Sequence, residues 1–219
     1  MKKNKVVTLE QALSKIKNGQ TIMCAGFTNV GSANKLIRAI VDAGFRDFTV
    51  IANDAGNDKF DGIGTLFCEE RVKKLIASHI GLNPVVGKQM GSGQLEVTLV
   101  PQGTLVERIR CGGHGMGGFL TTTGVDTVVE EGKETIVVDG VKYLLELPLK
   151  AEVAILKAWK ADKAGNLVYR RLARNFNPTM AMAADFVIVE AEQIVEVGEL
   201  DPDIIVTPGI CVDMIVHMP

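Results

Sequence analysis

The stretch RCGGHGMGGF (residues 110–119) holds five glycines around one histidine and one methionine. Gly113, Gly115 and Gly118 fall in the spacing G-x-G-x-x-G, which can bring backbone amides onto a pyrophosphate when a strand precedes it and a helix follows. Here residues 105–110 read as helix, and Phe119-Leu-Thr-Thr-Thr disfavours a helix, so the order is reversed. Glu130 and Glu131 stand about 20 residues on, where a ribose-binding acid would be sought, but they precede Gly132 in a turn. Dinucleotide chemistry is therefore disfavoured. The glycines instead predict a close approach to a ligand or to the other wall of a cleft, with Gly113, His114, Gly115, Gly117 and Gly118 as the loop's members. His114 shares no ligand spacing with His79 or His217, and no metal is expected.

Neutral amides and one carboxylate are the other groups that could do chemistry. Asn53 and Gln102 each follow an apolar run that reads as a strand, and two neutral donors converging on a cleft suit a developing oxyanion. Glu190 follows the run Phe-Val-Ile-Val (186–189) and is the best in-chain candidate for a nucleophile or base. The remaining acids, such as Glu69, Glu70 and Glu199, read as solvated. No G-x-S-x-G elbow and no P-loop occur. Cys24, Cys68, Cys111 and Cys211 are far apart among small or apolar neighbours, as buried hydrophobes would be. The chain reads as binding walls without a reactive group.

The elements that must position these residues follow an alternating rhythm. Residues 8–18 read as a helix capped by Thr8, with Leu9, Ala12, Leu13 and Ile16 at helical spacing and Gly19 as its stop. Continuous apolar runs at 21–25 and 48–52 predict buried parallel strands on either side of a helix over 34–43. Strands over 74–77 and 95–100 and a helix over 104–110 continue the pattern. Residues 131–148 break it. Thr135-Ile-Val-Val, the Asp139-Gly140 turn and Lys142-Tyr-Leu-Leu predict an antiparallel hairpin. Strands over 153–157, 186–189 and 204–206 complete one α/β domain over residues 1–219, a mostly parallel doubly wound sheet with that hairpin inserted. In such a sheet ligands bind beyond the carboxyl ends of the strands, which singles out residues 26–31, 53–58 and 101–103. Gly26, Phe27, Thr28, Asn29, Val30 and Gly31 form the first of these loops. Its amides are expected to be free to meet an anion at the start of the next helix.

Composition limits the partners. A net charge of −2 with both signs interspersed offers nothing to a polyanion, so nucleic acid and anionic membrane are excluded as partners. Without a signal peptide or an apolar run of about 18 residues, the expected location is the cytoplasm.

Several long motifs, taken together, carry a resemblance. TIMCAGFTNVG (21–31), FTVIANDAGND (48–58), LVPQGTLVERIRCGGHGMGGFLTTTGVDTVVEEGK (99–133), LKAWKADKAGNLVYR (156–170) and ARNFNPTMAMAA (173–184) make the chain similar to the alpha subunits of the acetate/butyrate–acetoacetate CoA-transferases. The likeness extends to the N-terminal half of single-chain 3-oxoacid CoA-transferases. It implies ping-pong transfer of CoA between short-chain acids, with coenzyme A and acyl-CoA as substrates and no tightly bound cofactor. The nucleophilic glutamate would lie on a beta subunit, in a hetero-oligomer such as α2β2 or α4β4.

By the same resemblance, residues 26–31 form part of the CoA site, Asn53 and Gln102 hold the thioester oxyanion, and residues 112–119 border the cleft. Asn175 and Asn177 are left structural. Ala25 stands where the family usually has a first glycine, and His114 where a small residue is usual. Asp54 replaces a second asparagine of the 3-oxoacid branch, which points away from succinate as donor. Rival readings are a succinate- or 3-oxoadipate-type transferase subunit, a non-catalytic metabolite-binding or regulatory α/β domain, and an NAD-dependent dehydrogenase.

Overall fold

The apolar runs at 21–24 and 48–52, too short for helices, become strands buried on both faces in the computed structural model, which describes residues 4–59 and 62–219. The strands are β1 (Thr21–Cys24), β2 (Phe48–Ala52), β3 (Val72–Ala77), β4 (Glu96–Leu99), β5 (Phe119–Thr121), β6 (Thr135–Val138), β7 (Val141–Glu146), β8 (Ala151–Asp162), β9 (Leu167–Val168), β10 (Ala184–Val195) and β11 (Met214–His217). The helices are α1 (Leu9–Leu13), α2 (Asn34–Asp42), α3 (Gly64–Cys68), α4 (Pro84–Gly91), α5 (Gln102–Gly113) and α6 (Asn177–Met182).

Among the described residues the larger sheet has eight strands in the order β11-β10-β8-β1-β2-β3-β4, with β9 added antiparallel to β8. All its other pairings are parallel. Side chains alternate across the pleat, so neighbours in sequence enter different cores. Ile22, Cys24, Val50 and Ala52 join Leu36, Ile40 and Phe67 on one face. Met23, Ala25 and Ile51 join Leu105, Ile109 and Met180 on the other. A second, three-stranded antiparallel sheet has the order β5-β7-β6. Asp139 and Gly140, at φ 50° and 77°, make the β6–β7 turn with both central residues left-handed, as a tight hairpin requires.

The strands are not equally long. Cys24 of β1 pairs with Ile155, and residues 156–162 of β8 run on beside β10, past the carboxyl edge of β1. Several expectations change for physical reasons. The first helix ends at Leu13, where Lys15 and Ile16 donate back only three residues, to Ala12 and Leu13. The helix expected over 104–110 extends from Gln102 to Gly113 and absorbs the first two glycines of the loop. Residues 204–206 form no strand. A 3-10 turn over Pro202–Ile204 and a single bridge from Thr207 to Leu167 replace it, between prolines that cannot donate to a ladder. The short elements α3, α4, α6, β9 and β11 carry no periodicity long enough to read. Among the described residues no helix is long and apolar enough to cross a membrane.

Candidate active site

Parallel strands bring their exits to one edge of the sheet, and that edge builds the site outward from β1. After β1, Phe27 and Val30 exchange backbone hydrogen bonds of 3.0 Å each, closing a turn around Thr28 and Asn29. Thr28 is left-handed at φ 55°, and its N–H donates to Asp54 Oδ2 at 2.8 Å. The turn is held from the far end of the chain. Asn175 Nδ2 donates to the Val30 carbonyl at 2.8 Å, and Asn177 Nδ2 to the Gly31 carbonyl at 2.9 Å. Asn177 Oδ1 also accepts from the Lys157 N–H of β8 at 2.8 Å. Gly31 permits this approach, because a Cβ there would lie 2.7 Å from the Ala173 carbonyl oxygen. Phe27 and Val30 are left at the tip, each 49% exposed.

Three amides of this loop are already spent within the fold. Phe27, Thr28 and Val30 donate as described, and Ser32 donates to the Asn29 carbonyl. At the start of α2 the anion is already present in the chain, since Glu190 Oε2 accepts from the Leu36 N–H at 2.8 Å. Glu190 Oε1 pairs with Lys157 Nζ at 2.8 Å. Glu190 therefore lies inside β10 and not beyond it, 1% exposed, with both oxygens occupied. The structure assigns it a helix cap and a buried ion pair in place of a nucleophile's role.

At the β2 exit, Asp54 is a hub. It accepts from Thr28 N–H, from Asn53 Nδ2 at 2.7 Å and from Gly56 N–H at 2.8 Å. Being 3% exposed with both oxygens taken, it faces the loops and not an acid substrate. Its identity reports on loop architecture, so it does not argue against succinate. Asn53 is 1% exposed and has one amide hydrogen beyond the bond to Asp54. Ser78 Oγ donates to the Asn53 carbonyl at 2.6 Å and contacts His79 Nδ1 at 3.1 Å. His79, at the β3 exit, stacks obliquely on Phe27 with centroids 6.4 Å apart. Asn83 Nδ2 donates to the Ala55 carbonyl at 2.9 Å and steadies the same loop. Gln102 opens α5 at the β4 exit and is exposed. Asn53 and Gln102 thus flank one intervening strand, about 10 Å apart by sheet spacing, with His79 between them. Sequence reasoning missed Ser78, His79, Asn83, Asn175 and Asn177 as site builders. For Ser78 and His79 the position just past a strand was the available signal.

The glycine-rich loop is not brought to this edge. The helix α5 runs back from Gln102, and its end packs where the chain enters β8 and β10. A Cβ on Gly112 would lie 2.0 Å from the Leu149 carbonyl oxygen, and one on Gly113 2.8 Å from Met182. Met116 N–H donates to the Cys111 carbonyl around left-handed Gly115, a Schellman ending. Gly118, at φ 150°, passes the Glu146 carbonyl. Gly117 carries neither constraint. His114 Nδ1 lies 2.8 Å from the Arg110 carbonyl and donates to it, capping α5. The glycines serve close packing and helix termination, away from Asn53 and Gln102.

Among the described residues no group of three or more His, Cys, Asp or Glu is placed to hold a metal ion. Burial pushes the Cys24 thiol up to about 12 and raises Cys211 as well, so neither is poised as a thiolate.

A family model described as Coenzyme A transferase matches residues 6–218. The chain is 53% identical to the alpha subunit of the acetate CoA-transferase of Escherichia coli K12, over 98% of this chain and 97% of that one. It is 49% identical to the acetoacetyl-CoA:acetate/butyrate CoA transferase alpha subunit of Clostridium acetobutylicum, over 99% of each. One subunit of a probable succinyl-CoA:3-ketoacid coenzyme A transferase of Bacillus subtilis is 51% identical, over 94% of this chain and 87% of that one. Among solved structures, an acyl-CoA transferase of Escherichia coli O157:H7 in a thioester complex with CoA matches with a TM-score of 0.87 at 21% identity. That match covers 99% of this chain and 48% of the larger one, so this chain spans about half its length.

Proposed function

The chain belongs to the coenzyme A transferase family, and from that premise we propose that it is the alpha subunit of an enzyme exchanging CoA between acetate or butyrate and acetoacetate. The observation that carries the reading is that the strand exits present neutral donors while the nearby carboxylates are spent. Glu190 is bound to Leu36 and Lys157, and Asp54 to three N–H donors. A beta subunit supplies the missing glutamate. Its carboxylate attacks the thioester carbonyl, the carbon–sulfur bond breaks, and CoA thiolate leaves as an acyl–glutamyl anhydride forms. The thiolate then attacks the glutamyl carbonyl, releasing the first acid and leaving a glutamyl–CoA thioester. The second acid reverses these steps.

In this scheme Gln102 and the second amide hydrogen of Asn53 donate to the oxyanion of each tetrahedral intermediate. Asp54 and Ser78 hold Asn53 in place, so its donor is preorganised. The loop with Phe27 and Val30 lies along the CoA path. Acetate or butyrate paired with acetoacetate is favoured by the two alpha-subunit relatives whose names carry those acids. A succinate-type pairing is the second reading, supported by the 51% identical relative.

The test is co-expression with the beta subunit. The pair should transfer CoA from acetoacetyl-CoA to acetate or butyrate, and borohydride should trap a reduced glutamyl–CoA site on the beta chain. Gln102 is exposed and its side chain makes no hydrogen bond among the described residues, so Gln102→Ala should leave stability unchanged and slow transfer by roughly 100-fold, about 3 kcal/mol. An unchanged rate in both Gln102→Ala and Asn53→Ala removes the oxyanion role. Transfer only with succinyl-CoA selects the second reading, and no transfer with any of these acids sinks the assignment.

A further inference from the structure

The chain is net acidic, yet one short region carries uncompensated positive charge. Lys157 is paired with Glu190 and Glu192, and Lys163 with Glu196. Lys160, Arg170, Arg171 and Arg174 have no carboxylate partner among the described residues. All three arginines are exposed, and Arg171 is held left-handed at φ 53°, a conformation that favours glycine or asparagine. The only tryptophan of the chain, Trp159, sits among them, with Lys160 Nζ 4.5 Å and Arg170 Cζ 5.8 Å from its ring centroid.

This cluster is fastened to the CoA-side loop. Its Ala173 carbonyl and Asn175 abut Gly31, and Asn175 holds the Val30 carbonyl. It therefore stands over the exits of β8 and β1, while Gln102 stands at the exit of β4. Three strand spacings, about 15 Å, separate β1 from β4 along the edge. A ligand touching both ends is long, carries its reactive carbonyl at one end and concentrates anionic charge at the other. Exposed guanidinium groups match phosphate by paired, charge-assisted hydrogen bonds.

We propose that Arg170, Arg171 and Arg174, with Lys160, hold the phosphates at the nucleotide end of the CoA substrate. This rests on the transferase reading above. The test uses the co-purified two-subunit enzyme and the double variant Arg171→Gln/Arg174→Gln, two exposed positions whose replacement leaves the packing untouched. With acetoacetyl-CoA, kcat/KM should fall about tenfold or more through KM, with the KM for acetate unchanged. With acetoacetyl-pantetheine, which lacks every phosphate, wild type and variant should agree within about twofold. The 3′-dephospho thioester then tells which phosphate is held. An equal fall with the pantetheine thioester, no fall with either, or loss of subunit co-elution overturns the proposal, the last because the patch would then be a contact between subunits. If the wild-type enzyme transfers nothing, the transferase reading has failed by itself. Calorimetric titration of CoA and pantetheine into the complex still decides the patch, because only CoA binding should weaken in the variant.

Discussion

Glu190 offers the sharpest division between a structural and a chemical carboxylate. Its Oε1 faces Lys157 Nζ at 2.8 Å and its Oε2 faces the Leu36 N–H at 2.8 Å, and its side chain is 1% exposed. Glu190→Gln keeps the shape and leaves one oxygen for Leu36, but turns a neutral group toward the ammonium. Breaking a buried pair costs roughly 3–5 kcal/mol, and the lower end applies here. Lys157 is 16% exposed and has Glu192 Oε1 at 3.4 Å to fall back on. For a chain of 219 residues about 3 kcal/mol lowers the melting temperature by roughly 6–12 °C. Scanning calorimetry of the two-subunit enzyme reads that shift, and kcat at 25 °C should stay within about twofold. Glu190→Ala should cost about 1 kcal/mol more, since α2 then loses its cap. The added change Lys157→Met should recover part of the loss, because no unpaired ammonium remains. A fall in kcat of roughly 10⁴-fold or more, with melting unchanged, would refute this reasoning and make Glu190 the nucleophile.

Further expectations follow from individual contacts. Asn177 is fully buried and makes bonds to Gly31, Ala173 and Lys157, so Asn177→Ala should lower urea stability by about 3 kcal/mol and raise the acyl-CoA KM. A stable variant with unchanged KM would show that the loop needs no anchor. Gly115 is left-handed with open space around it, so Gly115→Ala should cost about 1 kcal/mol. Gly112→Ala must displace the Leu149 backbone and should prevent soluble folding or cost several times more. Equal stabilities in the two would contradict the packing described. Burial raises the Cys24 thiol from 9.0 to about 12, so the unfolded chain ionises first as pH rises. The stability from this group is full below about pH 9 and declines toward pH 12 by about 1.4 kcal/mol per unit. Cys24→Ala should make the alkaline fall in urea midpoint shallower, and an identical slope in both proteins would exclude the effect.

The succession of β1 to β4, the hairpin and the cap at Thr8 were legible because each depends on neighbours within a few residues. A strand buried on both faces must be apolar throughout, and Asp139-Gly140 meets the left-handed demand of its turn locally. The same local logic did not foresee that Glu190 lies within β10 or that Gly112 and Gly113 belong to α5, because the deciding atoms are remote in sequence. Lys157 and Leu36 neutralise and bind the Glu190 carboxylate across β8 and α2, which lets β10 continue through a charge. The carbonyl of Leu149 and the side chain of Met182 crowd α5, which lets glycines stay helical where their propensity opposes it. By itself the sequence determined the parallel α/β rhythm, the strand exits carrying Asn53 and Gln102, and the family. Only the tertiary structure decided which polar groups are spent on the fold and which remain for a ligand, because a hydrogen bond's availability depends on neighbours that folding alone brings within about 3 Å.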